Sequence, residues 1–298
     1  MGMNSPKRAQ LFAITGITGQ VGGVVATQLL AAGQRVRAIV RSAEKGDLWA
    51  RRGCEVAMAE INDATALQAA FSGADAAFIL LPPSFAPTKG FPEVAAMVAA
   101  LQTALLAARP RRVVCLSTIG AQATEINLLT QLQMMERSLA KLPLSLAFLR
   151  AAWFMENAAW DVEPAVQSGV IPSFLQPLDK AFPMVATADI GRVAAELLRE
   201  EWIGTRVVEL EGPRRVTPND IAATFAKLLG RPVKMEAIAR GQWEALFRAQ
   251  GMADPTPRMR MLDGFNEGWI EFEGGQNGSV KGVVELESVI RELLNRRK

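Results

Sequence analysis

The sequence predicts an α/β protein, a doubly wound parallel sheet followed by a smaller C-terminal α+β lobe, on three observations. Short apolar runs alternate with helical patterns from residue 11 to residue 150. A glycine-rich turn joins the first run to the first helix, and the alternation stops after Arg150, where proline and glycine become frequent. Strands separated by helices of ten or more residues need crossover connections, which produce a parallel sheet with helices on both faces.

The elements follow in order. "LFAIT" (11–15) is a strand, and "GQVGGVVATQLLAAG" after it has helical spacing with Gly33 as its stop. "RVRAIV", a helix around 44–52, "CEVAMA", a helix from "DATALQAAF", "ADAAFILL" and a long helix over 91–108 continue the series. "RRVVCLS", the helical segment "NLLTQLQMMERSLAKL" (127–142) and "LSLAFLR" complete it. Beyond Arg150, "VATADIGRVAAELLRE" reads as a helix that packs back on the sheet, and "RVVELEGP" as a further strand. "VTPNDIAATFAKLLGRP" is a punctuated helix: Thr217 caps it, Pro218 fits its first position, Asp220 favours its first turn and Gly230 ends it. The expected organisation is a nucleotide-binding domain over 7–150, with 185–205 returning to it, and a substrate-side lobe over 151–298.

Bulk properties exclude several classes. Hydrophobic residues make up 50% of the 298 and charged residues 21%, a globular balance far from disorder. The longest apolar stretch, "EVAAMVAALQTALLAA", is interrupted by Gln102 and Thr103 and falls short of the roughly 20 residues needed to cross a bilayer. No apolar run follows the basic start "MGMNSPKRAQ", so no signal peptide is expected. The two cysteines sit in apolar runs far apart, and read as buried reduced thiols of a cytoplasmic protein. With no histidine in the chain, a Cys/His metal site is excluded. The net charge of +3 is spread over scattered residues, which argues against nucleic-acid or membrane binding and leaves a monomer or homodimer acting on a small molecule.

The first strand runs into "TGITGQVGG", with glycines at 16, 19 and 22. In a strand–turn–helix context this is a pyrophosphate cradle: Gly16 makes the tight turn, Gly19 admits the anion close to backbone, and Gly22 lets helix and strand approach. The sheet is therefore of the Rossmann type. Where the second strand ends, an NAD-binding chain places an acid for the ribose 2′-hydroxyl; here Arg41 stands, with Ser42 beside it and Lys45 one turn on. A guanidinium holds a 2′-phosphate that a carboxylate would repel, so NADP(H) is preferred over NAD(H). No second nucleotide loop is present, so no flavin is expected, and no metal.

"TGITGQVGG", "RVRAIVRS", "AAFILLPP", "RRVVCLSTIGA", "LAFLRAAWFMEN" and "VVELEGPRRVTPNDIAATFAKLLGRPV" together resemble the NmrA-like branch of atypical short-chain dehydrogenases, from about residue 9 to 240. That branch holds quinone, azo-dye and triphenylmethane-dye reductases, and regulators that bind dinucleotide without turnover. The resemblance implies that Gly16, Thr18, Gly19, Gln20 and Val21 wrap the pyrophosphate and Arg41 holds the 2′-phosphate. It implies that Leu80, Leu81, Pro82 and Pro83 border the adenosine side and nicotinamide ribose, and that Ser117, Thr118 and Ile119 lie near the nicotinamide. Trp153, Phe154, Met155 and Asn157 would surround the substrate; read from the residues alone, the three apolar ones equally suit the core, and Asn157 suits a local backbone contact.

Short-chain dehydrogenases protonate a ketone with a Tyr–Lys pair, yet this chain contains neither tyrosine nor histidine. Thr130, Leu132, Gln133 and Met134 are the residues at the Tyr place, with Met134, Glu136, Arg137 and Ser138 four positions on. Ser117, Thr118 and Gln133 remain as weak hydrogen-bond donors, and Glu136 reads as a helix-surface residue. Hydride transfer to a ketone builds an alkoxide that needs such support, whereas a conjugated acceptor spreads the charge. The chain therefore reads as an NADPH-dependent oxidoreductase of azo dyes or quinones. A non-catalytic NADP(H)-sensing regulator and an imine or iminium reductase are the alternatives.

Overall fold

The computed structural model describes residues 9–297. The basic N-terminal start and residues 7 and 8, where the first domain was expected to begin, lie outside the described residues. Along the chain come β1 (Leu11–Ile14), α1 (Gln20–Ala31), β2 (Arg35–Val40), α2 (Ala43–Ala50), β3 (Glu55–Met58), α3 (Ala64–Phe71), β4 (Ala76–Ile79), α4 (Pro92–Ala108), β5 (Arg112–Thr118), α5 (Thr130–Leu139) and β6 (Ser145–Ala151). The remainder holds β7 (Trp153–Phe154), a 3-10 turn (Met155–Asp161), α6 (Val162–Gln167), β8 (Val170–Ser173), β9 (Met184–Val185), α7 (Thr187–Arg199), β10 (Thr205–Glu211) and α8 (Pro218–Leu229). It ends with β11 (Lys234–Ala237), α9 (Trp243–Ala249), α10 (Thr256–Glu267), α11 (Gly275–Gly278), β12 (Val280–Lys281) and α12 (Leu286–Arg296).

Eight strands form one parallel sheet in the order β12-β10-β6-β5-β4-β1-β2-β3, the doubly wound arrangement the alternation predicts. From β1 the chain winds outward through β2 and β3, then crosses to β4 on the other side. The strand order therefore reverses between β1 and β4, where Ile14 pairs with Phe78. Ligands of such sheets bind outside the carboxyl ends of the strands at this reversal. Side chains alternate across the sheet: Val114 and Leu116 join the apolar layer beneath α1 and α7, while Val113 and Cys115 join the layer beneath α3, α4 and α5. Both cysteines are buried and unbonded to each other, and burial raises the pKa of each thiol. Gly191 of α7 faces Val24 of α1, where a Cβ would come within 2.5 Å, so α7 lies tight against α1.

One placement differs from the expectation. β10 and β12, expected in the smaller lobe, extend the central sheet, β10 pairing with β6 from Thr205–Leu146 to Leu210–Ala151. Pairing between strands this far apart in sequence leaves no local trace in either one. The C-terminal residues also fold back onto the sheet. The buried carboxylate of Asp189 accepts from the backbone N–H of Val283 and Val284, both at 2.8 Å. Glu209 accepts from the N–H of Glu273 and Gly274. No helix among the described residues is long and apolar enough to cross a membrane.

Candidate active site

The turn after β1 has the stereochemistry its glycines predict. Gly16 adopts a left-handed φ of +62°, and a Cβ on Gly22 would sit 2.3 Å from the Gly16 carbonyl oxygen. Gly19 is the N-cap of α1 and carries no capping side chain, and no acidic residue occupies the first turn of the helix. The first N–H groups of α1 are thus left for an anion with nothing nearby to repel it. Thr15 fastens the turn to β4, its hydroxyl donating to the Phe78 carbonyl at 3.1 Å and accepting from Leu80 N–H at 2.8 Å. That staple carries no sequence motif and was not anticipated.

Parallel pairing of β1 with β2 brings Arg41 out of the sheet beside this turn. Arg41 and Lys45 are exposed, and no carboxylate pairs with Arg41 among the described residues. Ser42 is a helix cap, its Oγ accepting from the N–H of Lys45 at 3.4 Å. A glycine cradle that a side chain would fill, an open helix N-terminus and an unpaired guanidinium at the end of β2 fit a dinucleotide bearing a 2′-phosphate.

An apolar cavity of about 970 Å³ opens where this turn meets the strand ends. Gln20 and Val21 line one end, and Leu80, Leu81, Pro82, Pro83, Ser117, Thr118 and Ile119 follow. Trp153, Phe154, Met155 and Asn157 line the same space, whereas Arg41, Ser42 and Lys45 do not. Gly16, Thr18 and Gly19 form the turn rather than the wall. Trp153 and Phe154 are partly exposed to the cavity, with Trp153 packed edge-on against Phe265 at 5.2 Å, while Met155 is 2% exposed and belongs also to the core. α10 completes the enclosure with Arg258, Met261, Leu262 and Phe265.

Of Thr130, Leu132, Gln133 and Met134, the residues considered at the Tyr place, Leu132 alone lines the cavity, and Glu136 lies one turn further along α5. Gln133, a weak catalytic candidate, is committed elsewhere: its amide donates to the carbonyls of Ala121 and Ala123, at 2.8 and 2.7 Å, and it does not line the cavity. Glu136 is buried, contrary to the surface position expected for it. It accepts from the Ser117 hydroxyl at 2.5 Å and from Arg150, Nε at 3.0 Å and Nη2 at 2.7 Å. Nothing local in α5 signals this burial, because the partner, Arg150, belongs to β6. Burial disfavours the charged Arg150, but hydrogen bonds and charge from Glu136 and Glu273 outweigh it, and its pKa is raised. The hydroxyl hydrogen of Ser117 is therefore engaged, whereas the Thr118 hydroxyl has no partner among the described residues.

Asp161 is a further functional candidate that no sequence motif marks. It lines the cavity without a hydrogen-bond partner among the described residues, and desolvation pushes its carboxyl up to about 7. Its neighbour Trp160 is exposed and meets Phe85 edge-on at 6.3 Å. Arg258 lies 6.0 Å over Trp160 and 4.5 Å over Phe247, and desolvation lowers its pKa.

Comparison with known proteins agrees with this architecture. The chain is 25% identical to the NAD(P)H azoreductase of Xenophilus azovorans over 256 residues, 85% of this chain and 84% of that one. It is 26% identical to quinone oxidoreductase 2 of Escherichia coli strain K12, covering 82% and 83%. Among solved structures, the Citrobacter triphenylmethane reductase complexed with NADP(H) superposes with a TM-score of 0.79 at 20% identity, over 96% of this chain and 100% of the other. The model of the NmrA-like family matches residues 8–253, and the chain belongs to that family.

Proposed function

We propose that the protein is an NADPH-dependent reductase that passes hydride to an electrophilic conjugated acceptor, an azo compound or a quinone, without a Tyr–Lys pair. The observation that carries this reading is the continuous apolar cavity running from Gln20 and Val21 at the nucleotide turn to Trp153 and Phe154. Its volume of about 970 Å³ accommodates a nicotinamide and a flat aromatic acceptor together. The names of the two curated relatives, an azoreductase and a quinone oxidoreductase, support the same acceptor class.

Bound dihydronicotinamide supplies the hydride. The chain's own part is positioning: Trp153 and Phe154 offer aromatic faces and edges to a planar acceptor, and Leu80, Leu116 and Leu132 exclude water from between the reactants. Thr118 presents a hydroxyl to the same space. Leu132 at the Tyr place offers no proton, which suits an acceptor whose conjugation disperses the incoming charge.

The test is NADPH consumption by purified protein with and without an azo dye or quinone, alongside the same assay with NADH. Acceptor-dependent oxidation, faster with NADPH, is expected. No turnover, with the six tryptophans still reporting NADPH binding by fluorescence quenching, would support the cofactor-sensing regulator instead.

A further inference from the structure

We propose that Asp161 is the proton donor of the acceptor site, a neutral carboxylic acid that protonates the acceptor as hydride arrives; the step rests on the reductase reading above. Asp161 lines the same cavity as Thr118, Trp153 and Phe154. It closes the 3-10 turn immediately before α6, yet its side chain caps no helix. An ionised carboxylate in an apolar wall needs a cation or several N–H groups, and Asp161 has neither among the described residues. The neutral acid is the form such a wall favours, and its pKa of about 7 keeps a large fraction protonated at neutral pH.

The charged groups around it are engaged elsewhere. Glu156, on the same turn, accepts from the N–H and hydroxyl of Thr187. Arg258, the cation of the cavity wall, stacks on Phe247 and makes no ion pair with Asp161. Glu136 is bound to Arg150 behind Ser117. On α12, which packs against the 3-10 turn, Glu287 pairs with Arg291 and Lys227, and Glu292 with Arg296. On α6, Glu163 pairs with Arg297.

In azo reduction, Asp161 gives the proton of its carboxyl oxygen to one nitrogen while hydride bonds to the other. The N=N π pair moves to the nitrogen that takes the proton, so the azo compound is reduced to a hydrazo compound. Both electrons come from NADPH, which is oxidised to NADP⁺. Asp161 is left as a carboxylate and regains a proton from water at the cavity mouth. A cationic triarylmethane dye has a different requirement: hydride neutralises its central carbon, and no proton is consumed.

That contrast is the test. In Asp161→Asn, kcat with an azo dye should fall about 100-fold, while kcat with a cationic triarylmethane dye should stay within about threefold. Damage to folding or cofactor binding would lower both. Independently of turnover, ¹³C spectra of the carboxyl groups in cofactor-free protein should show one aspartate titrating near neutral pH, missing from the variant. Unchanged azo reduction, equal losses with both dyes, or no such titration would overturn the assignment. If the unaltered protein reduced neither dye and no quinone, the reductase reading would fall and this step with it.

Discussion

At the nucleotide end of the sheet, the working geometry is made by residues close together in sequence: Gly16, Gly19 and Gly22 lie within one turn, and the first helix follows directly. At the opposite edge, Arg150 is held by Glu136, Glu209 and Glu273, the last of them 123 positions away. Glu211, almost fully buried, is bound by Arg215 and Lys281. Burial alone would raise the Glu211 pKa, but hydrogen bonds from Lys281 and Ser279 and the charge of Arg215 outweigh it and leave the pKa lowered. The first region is built from backbone that must stay open for a ligand. The second is built from buried charges that must find one another before the chain can close. The ionic cluster carries the attachment of the C-terminal segment.

The most severe way to break this comparison is to strip the ionic edge of its centre. Arg150→Met should leave Glu136 and Glu209 without their shared buried cation and cost about 3–5 kcal/mol of stability in urea unfolding. A loss below about 1 kcal/mol would mean that the cluster is only loosely coupled to the fold.

A second test sets the lone carboxyl of the cavity against the paired ones. An ordinary aspartate in the unfolded chain ionises near pH 4, whereas Asp161 in the folded protein does so at about 7. Below pH 4 both states hold the proton and nothing changes. As pH rises from about 4 to about 7 the unfolded chain releases its proton first, and stability is lost by about 2–4 kcal/mol, with no further change above 7. Asp161→Asn should therefore be more stable than the unaltered protein at pH 8 and about equal at pH 4, by thermal or urea unfolding at each pH. The paired Glu211, its pKa lowered, acts with the opposite sign, contributing stability that is lost on acidification.

The smallest effect sharpens the nucleotide side. Arg41→Glu should raise the KM for NADPH by about one to two orders of magnitude and leave stability nearly unchanged. An unchanged KM in steady-state assays would remove Arg41 from the phosphate site.

These differences explain what the sequence disclosed. The strand–helix alternation and glycine spacing are local and periodic, so the sheet and its nucleotide turn could be read directly. Trp153 and Phe154 were identified only through family resemblance, because an aromatic pair at the end of a strand looks the same in a core as in a cavity wall. Asp161 carries no signal: a single aspartate before a short helix reads as a cap, and only the fold places it in the wall of the cavity. Glu136 reads as a surface residue in the sequence because its partner is supplied by a separate element, β6.

The ionic edge also has a consequence for the order of assembly during synthesis. Glu209 bonds to backbone 64 and 65 positions downstream, at Glu273 and Gly274. At ribosomal speeds of about 5–20 residues per second, β10 emerges roughly 3–13 s before those partners do. During that interval β10 is an open sheet border: Glu209 and Glu211 have Arg150 and Arg215, but the N–H groups of Glu273 and Gly274 and the ammonium of Lys281 are not yet made. An open border of that kind is exposed to edge-to-edge association until the final strand arrives.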